Sequence, residues 1–410
     1  MRFAWLCIAI AGFALVATPA RATDPLELTN AIKALDAGDV KGALATVQRF
    51  ALAGNNAAQN ELGWLYETGH GVPVDYPEAV KWYKLSALHG GASDQNNLGR
   101  MYESGLGVPK NYTEAEKWFG LSALQGFPMG EFDLAYLHDR GLGTVPPFEQ
   151  TVALYKKAAD QGLAIAQYQY ALCAKNGHVA NGQAVATDYF TRAADQGYGP
   201  ALDQLGRDHE LGRGVPVNHL IAFEFYKRGA EAGDGNAMTH LAALYEAGLG
   251  VARNYAEAAH WYRLAVDRNI PLAAYRFGII AEQGLATGTP NEAEGFAWVR
   301  TAADVGNLAE AQNHLGVMYA QGRGVAKDAT EGARWFHRAA AQNNAAAMEN
   351  LALAYKGGIG VPFEPAEARR WHEQALAHGY ALSAPAAPAA APAPLSNDLL
   401  SVAGGNSTRP

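Results

Sequence analysis

Leu98-Gly99-Arg100-Met101-Tyr102-Glu103-Ser104-Gly105-Leu106-Gly107-Val108-Pro109 returns, with small changes, about every 36 residues along this 410-residue chain. The Leu-Gly pair recurs at Leu62-Gly63, Leu205-Gly206 and Leu315-Gly316. The Gly-x-Gly that trails it recurs at Gly69/Gly71, Gly212/Gly214, Gly248/Gly250, Gly322/Gly324 and Gly358/Gly360. Self-similarity at one fixed period, rather than any catalytic motif, organises the sequence. A unit of this length is one supersecondary element that cannot bury its own apolar face. Stacking on neighbours buries it, and stacking leaves a long surface suited to holding something.

Aligned on Leu-Gly, nine units begin near Ala57, Ser93, Met129, Ile165, Pro200, Asn236, Leu272, Glu310 and Ala346. The seventh is lengthened at Ala286-Thr-Gly-Thr-Pro290. An incomplete pair over 23–56 precedes them and is expected to cap the open end of the stack. Each unit reads as two helices. With the leucine as position 0, positions −4, 0, +3 and +4 share one helical face and are apolar, as in Ala58, Leu62, Leu65 and Tyr66. Glycine at +1 removes a side chain, which suits a place where the partner helix crosses closely. Gly-x-Gly supplies a left-handed helix terminus, and Pro73, Pro109, Pro216 and Pro362 prevent continuation. The second helix repeats Ala79, Trp82, Tyr83 and Ala87, then Ala115, Trp118, Phe119 and Ala123, with Trp261, Trp298, Trp335 and Trp371 later. This aromatic stripe is expected to wedge neighbouring units together rather than to stack ligands.

The pattern Ala-x-x-x-Leu-Gly-x-x-Tyr-x-x-Gly-x-Gly-Val, followed by Asn or Asp, then Ala-x-x-Trp-Tyr-x-x-Ala-Ala, resembles the Sel-one-like repeat, a relative of the tetratricopeptide repeat. The resemblance covers about residues 26–379. It implies an all-α fold, a right-handed superhelical solenoid of about nine helix-turn-helix repeats whose first helices line the concave side. It also implies an adaptor or scaffold role in bacterial envelopes or signalling. The fourth unit departs most, with Tyr170-Ala171 for Leu-Gly and Ala174 for the tyrosine, and reads as a bend or weak joint.

Opposite the core stripe, positions −2, +2 and +5 are neighbours on one helical face. Position +5 reads Glu67, Glu103, Asp139, Lys175, Glu210, Glu246, Glu282, Ala320 and Lys356, six of nine acidic. Beside them the same face carries Trp64 and Tyr136 at +2, with Phe132, Tyr168 and Tyr275 at −2. Large aromatics on an exposed face suit a binding surface. Trp64, Arg100, Phe132, Tyr136, Tyr168, Tyr275, Glu67, Glu103 and Glu246 are therefore the candidate partner-binding residues. Their expected partner is an extended protein segment with basic and apolar side chains.

The ends read differently. Residues 1–22 combine Arg2, an apolar run from Phe3 to Val16 and Ala20-x-Ala22, the pattern of a secretory signal peptide cleaved near Ala22. Export to the periplasm or beyond is expected. Removing Arg2 and Arg21 leaves 30 basic against 40 acidic residues, a formal charge of −10, which disfavours nucleic acid. No second segment approaches the about 18 apolar residues that span a bilayer, so membrane association is expected only through a partner. Cys173 is the one cysteine after residue 22, which excludes an intramolecular disulfide there. Residues 380–410 are rich in alanine and proline and read as a disordered tail, with Leu399-Leu400 and Val402 a short docking patch at most.

No enzyme signature appears. None of the eight serines has lysine three residues on, and no Gly-x-Ser-x-Gly, His-Glu-x-x-His or phosphate-cradling loop is present. Some cysteine-rich members of the resembled family have been described as penicillin-binding or β-lactamase-like. Their cysteine pairs are missing here. His138-Asp139 and Asp208-His209 imitate acid–base pairs, yet both histidines occupy the repeat's tyrosine position and read as satisfied core residues. Cys173 near His178 lacks further ligands for a metal. The expectation is a non-enzymatic, cofactor-free scaffold, with a β-lactamase-like or peptidoglycan-fragment-binding protein of the same repeat family as the alternative.

Overall fold

The computed structural model describes residues 25–380. The expected signal peptide and the tail from residue 381 lie outside the described residues. Twenty helices and no strands occur among the described residues. Contacts divide the chain into two units, residues 1–166 and 167–410.

The first unit contains α1 (Pro25–Asp36), α2 (Val40–Leu52), α3 (Asn56–Thr68), α4 (Tyr76–Leu88), α5 (Ala92–Ser104), α6 (Tyr112–Leu124), α7 (Pro128–Asp139) and α8 (Phe148–Asp160). The division falls in the first turn of α9 (Ala164–Lys175), inside the atypical fourth repeat. The second unit continues with α10 (Gly182–Asp195), α11 (Gly199–Leu211), α12 (His219–Glu231), α13 (Gly235–Ala247), α14 (Tyr255–Val266), α15 (Pro271–Gln283), α16 (Glu292–Asp304), α17 (Ala309–Gln321), α18 (Ala329–Ala340), α19 (Ala345–Gly357) and α20 (Pro365–Ala377).

The second repeat shows how this sequence builds one pair. Gly105 ends α5 at φ 77, and its N–H reaches Met101 O while Leu106 N–H donates to the same carbonyl at 3.2 Å. That backbone suits glycine, because a Cβ would strain it. Asn111 then donates its N–H to Tyr102 O at 2.9 Å and caps α6 by accepting from Thr113 N and Glu114 N, both at 3.1 Å. The loop's polar backbone is thereby satisfied at both helix ends. Gly107, the second glycine, has a further task. A Cβ there would lie 2.3 Å from the carbonyl oxygen of Tyr76 in the preceding repeat. Gly250 against His219 O and Gly360 against Ala329 O, at 2.3 and 2.0 Å, repeat the contact.

Glycine at +1 marks the crossing in five of the nine pairs, and alanine takes its place at Ala135, Ala171, Ala242 and Ala352. A Cβ on Gly99 would sit 2.6 Å from the Phe119 ring, and one on Gly316 2.6 Å from Phe336. The tryptophans fill the seams between repeats. Trp118 on α6 packs with Ala79, Val80 and Tyr83 of α4 and with Leu98 and Met101 of α5. Trp335 on α18 joins Val299, Ala302 and Ala303 of α16 with Leu315 and Met318 of α17. Within each unit, second helices such as α4, α6, α16 and α18 are thus covered on one side by the first helix of the next repeat. The leading pair joins the stack in the same way, since Leu28, Val47 and Phe50 share a cluster with Leu62, Leu65 and Trp82.

Candidate protein-binding face

The first helix of each repeat meets its own second helix, the preceding first helix and the following one, and these contacts set which residues remain for a partner. Hydrogen bonds recur along the seam between successive first helices. Asn97 donates to Asn60 at 2.9 Å, Asn96 to Asp133 at 3.1 Å and Asn350 to Asn313 at 2.8 Å. His240 Nδ1 lies 2.6 Å from Asp203 Oδ1 in the same register. All four join position −2 of one repeat to position −1 of the next. A second ladder runs within pairs. The second-helix tyrosines donate to the carboxylates at +5, Tyr83 to Glu67 at 2.6 Å, Tyr155 to Asp139 at 3.3 Å, Tyr226 to Glu210 at 2.6 Å and Tyr262 to Glu246 at 2.9 Å.

These ladders correct the expected face. Position −2 turns inward: Phe132 is 2% exposed and stacks on Tyr136, with ring centroids 6.0 Å apart. Tyr168 packs between Phe190 and Tyr198, and Tyr275 meets the His314 ring edge-on. Burial pushes the Tyr275 hydroxyl up to about 12. At +5, Glu67, Glu103, Glu210, Glu246 and Glu282 turn inward as well, while Asp139 and Lys356 stay exposed. Glu246 is 7% exposed and receives Arg276 Nη2 at 2.6 Å and Nε at 3.2 Å in addition to Tyr262. Glu282 sits 2.9 Å from His314 Nε2 and 2.7 Å from Arg323 Nη1. Burial works against its charge, but these partners more than offset that and hold its carboxyl below the usual range. Glu67 is half-buried, bonded to Tyr83 and 3.9 Å from Arg100; Glu103 is half-buried too. The physical reason is satisfaction: a carboxylate or amide facing a helix seam must be paired, and neighbours 16 or 37 residues away supply the partners.

Positions −5, +2 and +6 of the first unit's first helices face solvent instead. In the first unit these are Ala57, Trp64 and Thr68, then Ser93, Arg100 and Ser104, then Met129, Tyr136 and Arg140, exposed except for the half-buried Met129 and Tyr136. Trp64 is 38% exposed and leans on His70, whose Nε2 lies 2.9 Å from Leu35 O. Arg140 donates to Tyr136 Oη at 3.2 Å and stands over its ring. Of the expected residues, Trp64, Arg100 and Tyr136 therefore share one row, joined by Arg140, which the sequence reading did not include. Four tyrosine–carboxylate pairs sixteen residues apart were the signal available for the inward turn of +5. In the second unit position +2 holds Leu172, Arg207, Ala243, the buried Ile279, Val317 and Leu353, with no aromatic residue.

The two suspected acid–base pairs are packing residues. His138 Nε2 lies 3.3 Å from Glu116 Oε1, and the His209 ring stacks on Phe225. Each keeps a buried Nδ1 with no hydrogen-bond partner, which corrects the expectation of fully satisfied core histidines. Among the described residues no group of three or more His, Cys, Asp or Glu side chains is arranged to hold a metal.

A paired-helix unit repeats nine times, with a glycine crossing in five of the units and a seam tryptophan in six. The Sel1 repeat matches residues 56–91, 92–127, 128–163, 164–198, 200–234, 235–270, 271–307, 309–344 and 345–380. The chain belongs to the Sel1 repeat family. Its structure is similar to the crystal structure of c5321, a protective antigen of uropathogenic Escherichia coli strains displaying an SLR fold. The TM-score is 0.66 and the identity 29%, over 85% of this chain and 75% of that one. A Sel1 repeat protein from Oxalobacter formigenes is 27% identical over 68% of this chain and 99% of its own, with a TM-score of 0.42. No match was found among curated proteins. Sel1 repeat proteins generally mediate protein–protein interaction, their scaffold is typically non-enzymatic, and no catalytic family is matched.

Proposed function

We propose that this Sel1 repeat protein is an exported, non-enzymatic scaffold that holds an extended segment of another envelope or signalling protein along the first-helix row of its N-terminal unit. The observation that carries the reading is the row itself. Trp64, Arg100 and Tyr136 stand on the successive first helices α3, α5 and α7, with Arg140 at the end of α7, where packing needs no aromatic, as Ala243 and Val317 at the same position of the second unit illustrate. Aromatic and arginine side chains at the centre of a row provide rigid area and forked donors, the two contributions that dominate binding hot spots.

The pairing of the +5 carboxylates changes the chemistry of the partner. A basic segment would need free acids, and Glu67, Asp139 and Glu246 are already engaged within the fold. The segment that fits is apolar with acidic or hydrogen-bond-accepting groups, received by Arg100 and Arg140. Its apolar anchors pack beside Trp64 and Tyr136. Export rests on residues 1–22, and a secreted form whose first residue is Thr23 would support it.

Crosslinking in living cells followed by mass spectrometry tests the reading. Capture of a defined partner should fall at least about tenfold in Trp64→Ala and in Arg100→Glu, the size of effect expected for hot-spot truncation. Capture that stays intact in both variants removes this row from the binding site.

A further inference from the structure

We propose that residues 395–402 of this same chain dock in the groove between α19 and α20, where every earlier repeat receives the first helix of its successor. In the preceding repeat the second helix α18 presents Phe336, Ala339 and Ala340, and α19 covers them with Ala347, Met348 and Leu351. Phe336 is 6% exposed as a result. The same positions on α20 are His372, Ala375 and Leu376, and no described helix follows. Leu376 is 44% exposed there, whereas its counterpart Ala340, covered by α19, is 3% exposed. Between the two helices lies a cavity of about 350 Å³ floored by Ala352, Leu353 and Ala368. An uncovered seam of a repeat stack is an apolar surface shaped for one more helix.

The occupant is argued from spacing, charge and reach. Each first helix seals its seam with side chains at −4, 0 and +3, such as Ala58, Leu62 and Leu65 or Ala311, Leu315 and Met318, all 1% exposed or less. The chain beyond Tyr380 repeats that spacing once, as Leu395, Leu399 and Val402. Leu400 then stands at +1, the position of the crossing glycine. Glycine is not required at that position, since Ala135, Ala171, Ala242 and Ala352 hold it in other repeats.

Charge agrees. The groove carries Lys356, Arg369 and His372 against Glu349 alone, which already lies 2.7 Å from His372 Nδ1. Residues 395–402 carry Asp398 and no cation. Reach is not limiting either. Tyr380 packs at this same end of the stack, against the cluster of Phe336 and Leu351. Residues 381–394 separate it from Leu395, and a proline-rich tether of that length, at about 3 Å per residue, exceeds the about 10 Å that typically separates packed helices. This inference is independent of the partner-binding row.

Hydrogen–deuterium exchange on the full chain tests it. Amides of residues 395–402 should exchange at least about tenfold more slowly than an unprotected chain. Leu399→Asp should abolish that protection and speed exchange in α20. Leu353→Asp, at an exposed position the fold tolerates, should abolish it from the other side. Exchange at the unprotected rate in the parent chain overturns the proposal, as does protection that survives both substitutions. Protection that grows with protein concentration alongside a dimer assigns the groove to a second copy and overturns it too.

Discussion

Arg276→Met should destabilise the second unit by about 3–5 kcal/mol, the cost of leaving one partner of a buried ion pair alone. The side chains of Arg276 and Glu246 are 8% and 7% exposed, joined by contacts of 2.6 and 3.2 Å, and Tyr262 gives Glu246 its third bond at 2.9 Å. Methionine keeps the length of the arginine stem and removes both donors, so Glu246 retains only the tyrosine. Removing the carboxylate as well, in Arg276→Met/Glu246→Leu, shrinks the loss to the about 1–3 kcal/mol of an orphaned Tyr262 hydroxyl. Adding Tyr262→Phe should bring it close to zero. Repeat stacks need not unfold in one step, so the assay is native-state hydrogen exchange of α13 and α15. At 1.4 kcal/mol per factor of ten, Arg276→Met should accelerate their slowest amides by roughly two to three orders of magnitude. A loss below about 1 kcal/mol is the behaviour of an exposed pair. It would show that water reaches Glu246, and the +5 carboxylates would return as partner-binding groups.

The crossing glycines and a glycine in open space should respond with opposite signs. Gly99→Ala, whose Cβ would meet the Phe119 ring at 2.6 Å, should cost about 1–3 kcal/mol, whereas Gly120→Ala, with nothing within 4 Å on the interior of α6, should stabilise by about 0.5–1 kcal/mol; urea titration of both variants checks this. Trp118→Ala, at 8% exposure in the seam between the first two repeats, should cost about 3–5 kcal/mol, while Trp64→Ala should leave the thermal midpoint nearly unchanged. Stability of the second unit should decline as pH rises. Burial and the Asp203 charge raise Asp234 to about 6, so its native state holds the proton more tightly and the associated stability is lost between about pH 4 and 6. Burial alone would pull His240 down, but the charge and hydrogen bond of Asp203 outweigh it and raise His240, so its contribution is lost above its ordinary value of 6.5. Asp234→Asn keeps the cap on Ala237 and removes the charge; thermal melts from pH 4 to 8 should lose the lower of these two steps.

Most of the fold was legible because its determinants are local and repeated. Leu62, Leu65 and Ala58 lie on one face by helical geometry alone, Gly105 and Asn111 satisfy their own backbone within one loop, and Gly99 is small because a helix from the same unit crosses it. The binding face was legible only in part. Trp64, Arg100 and Tyr136 did fall on a solvent row, whereas Phe132, Tyr168, Tyr275 and Glu246 did not. A helical wheel says which residues share a face and is silent on how far the helix is rolled against its neighbours.

The sequence by itself determined the helix pairs, their number and the residues that weld one pair to the next, since each depends on contacts inside a single period or between identical neighbours. Only the tertiary structure decided that the acidic ladder belongs to the fold. Its partners are Tyr83, Tyr226, Tyr262 and Arg276, brought to the carboxylates from other helices. In a low-dielectric seam an unpaired charge is too costly to stand, and that electrostatic demand sets the roll of each first helix and the residues it leaves to a partner.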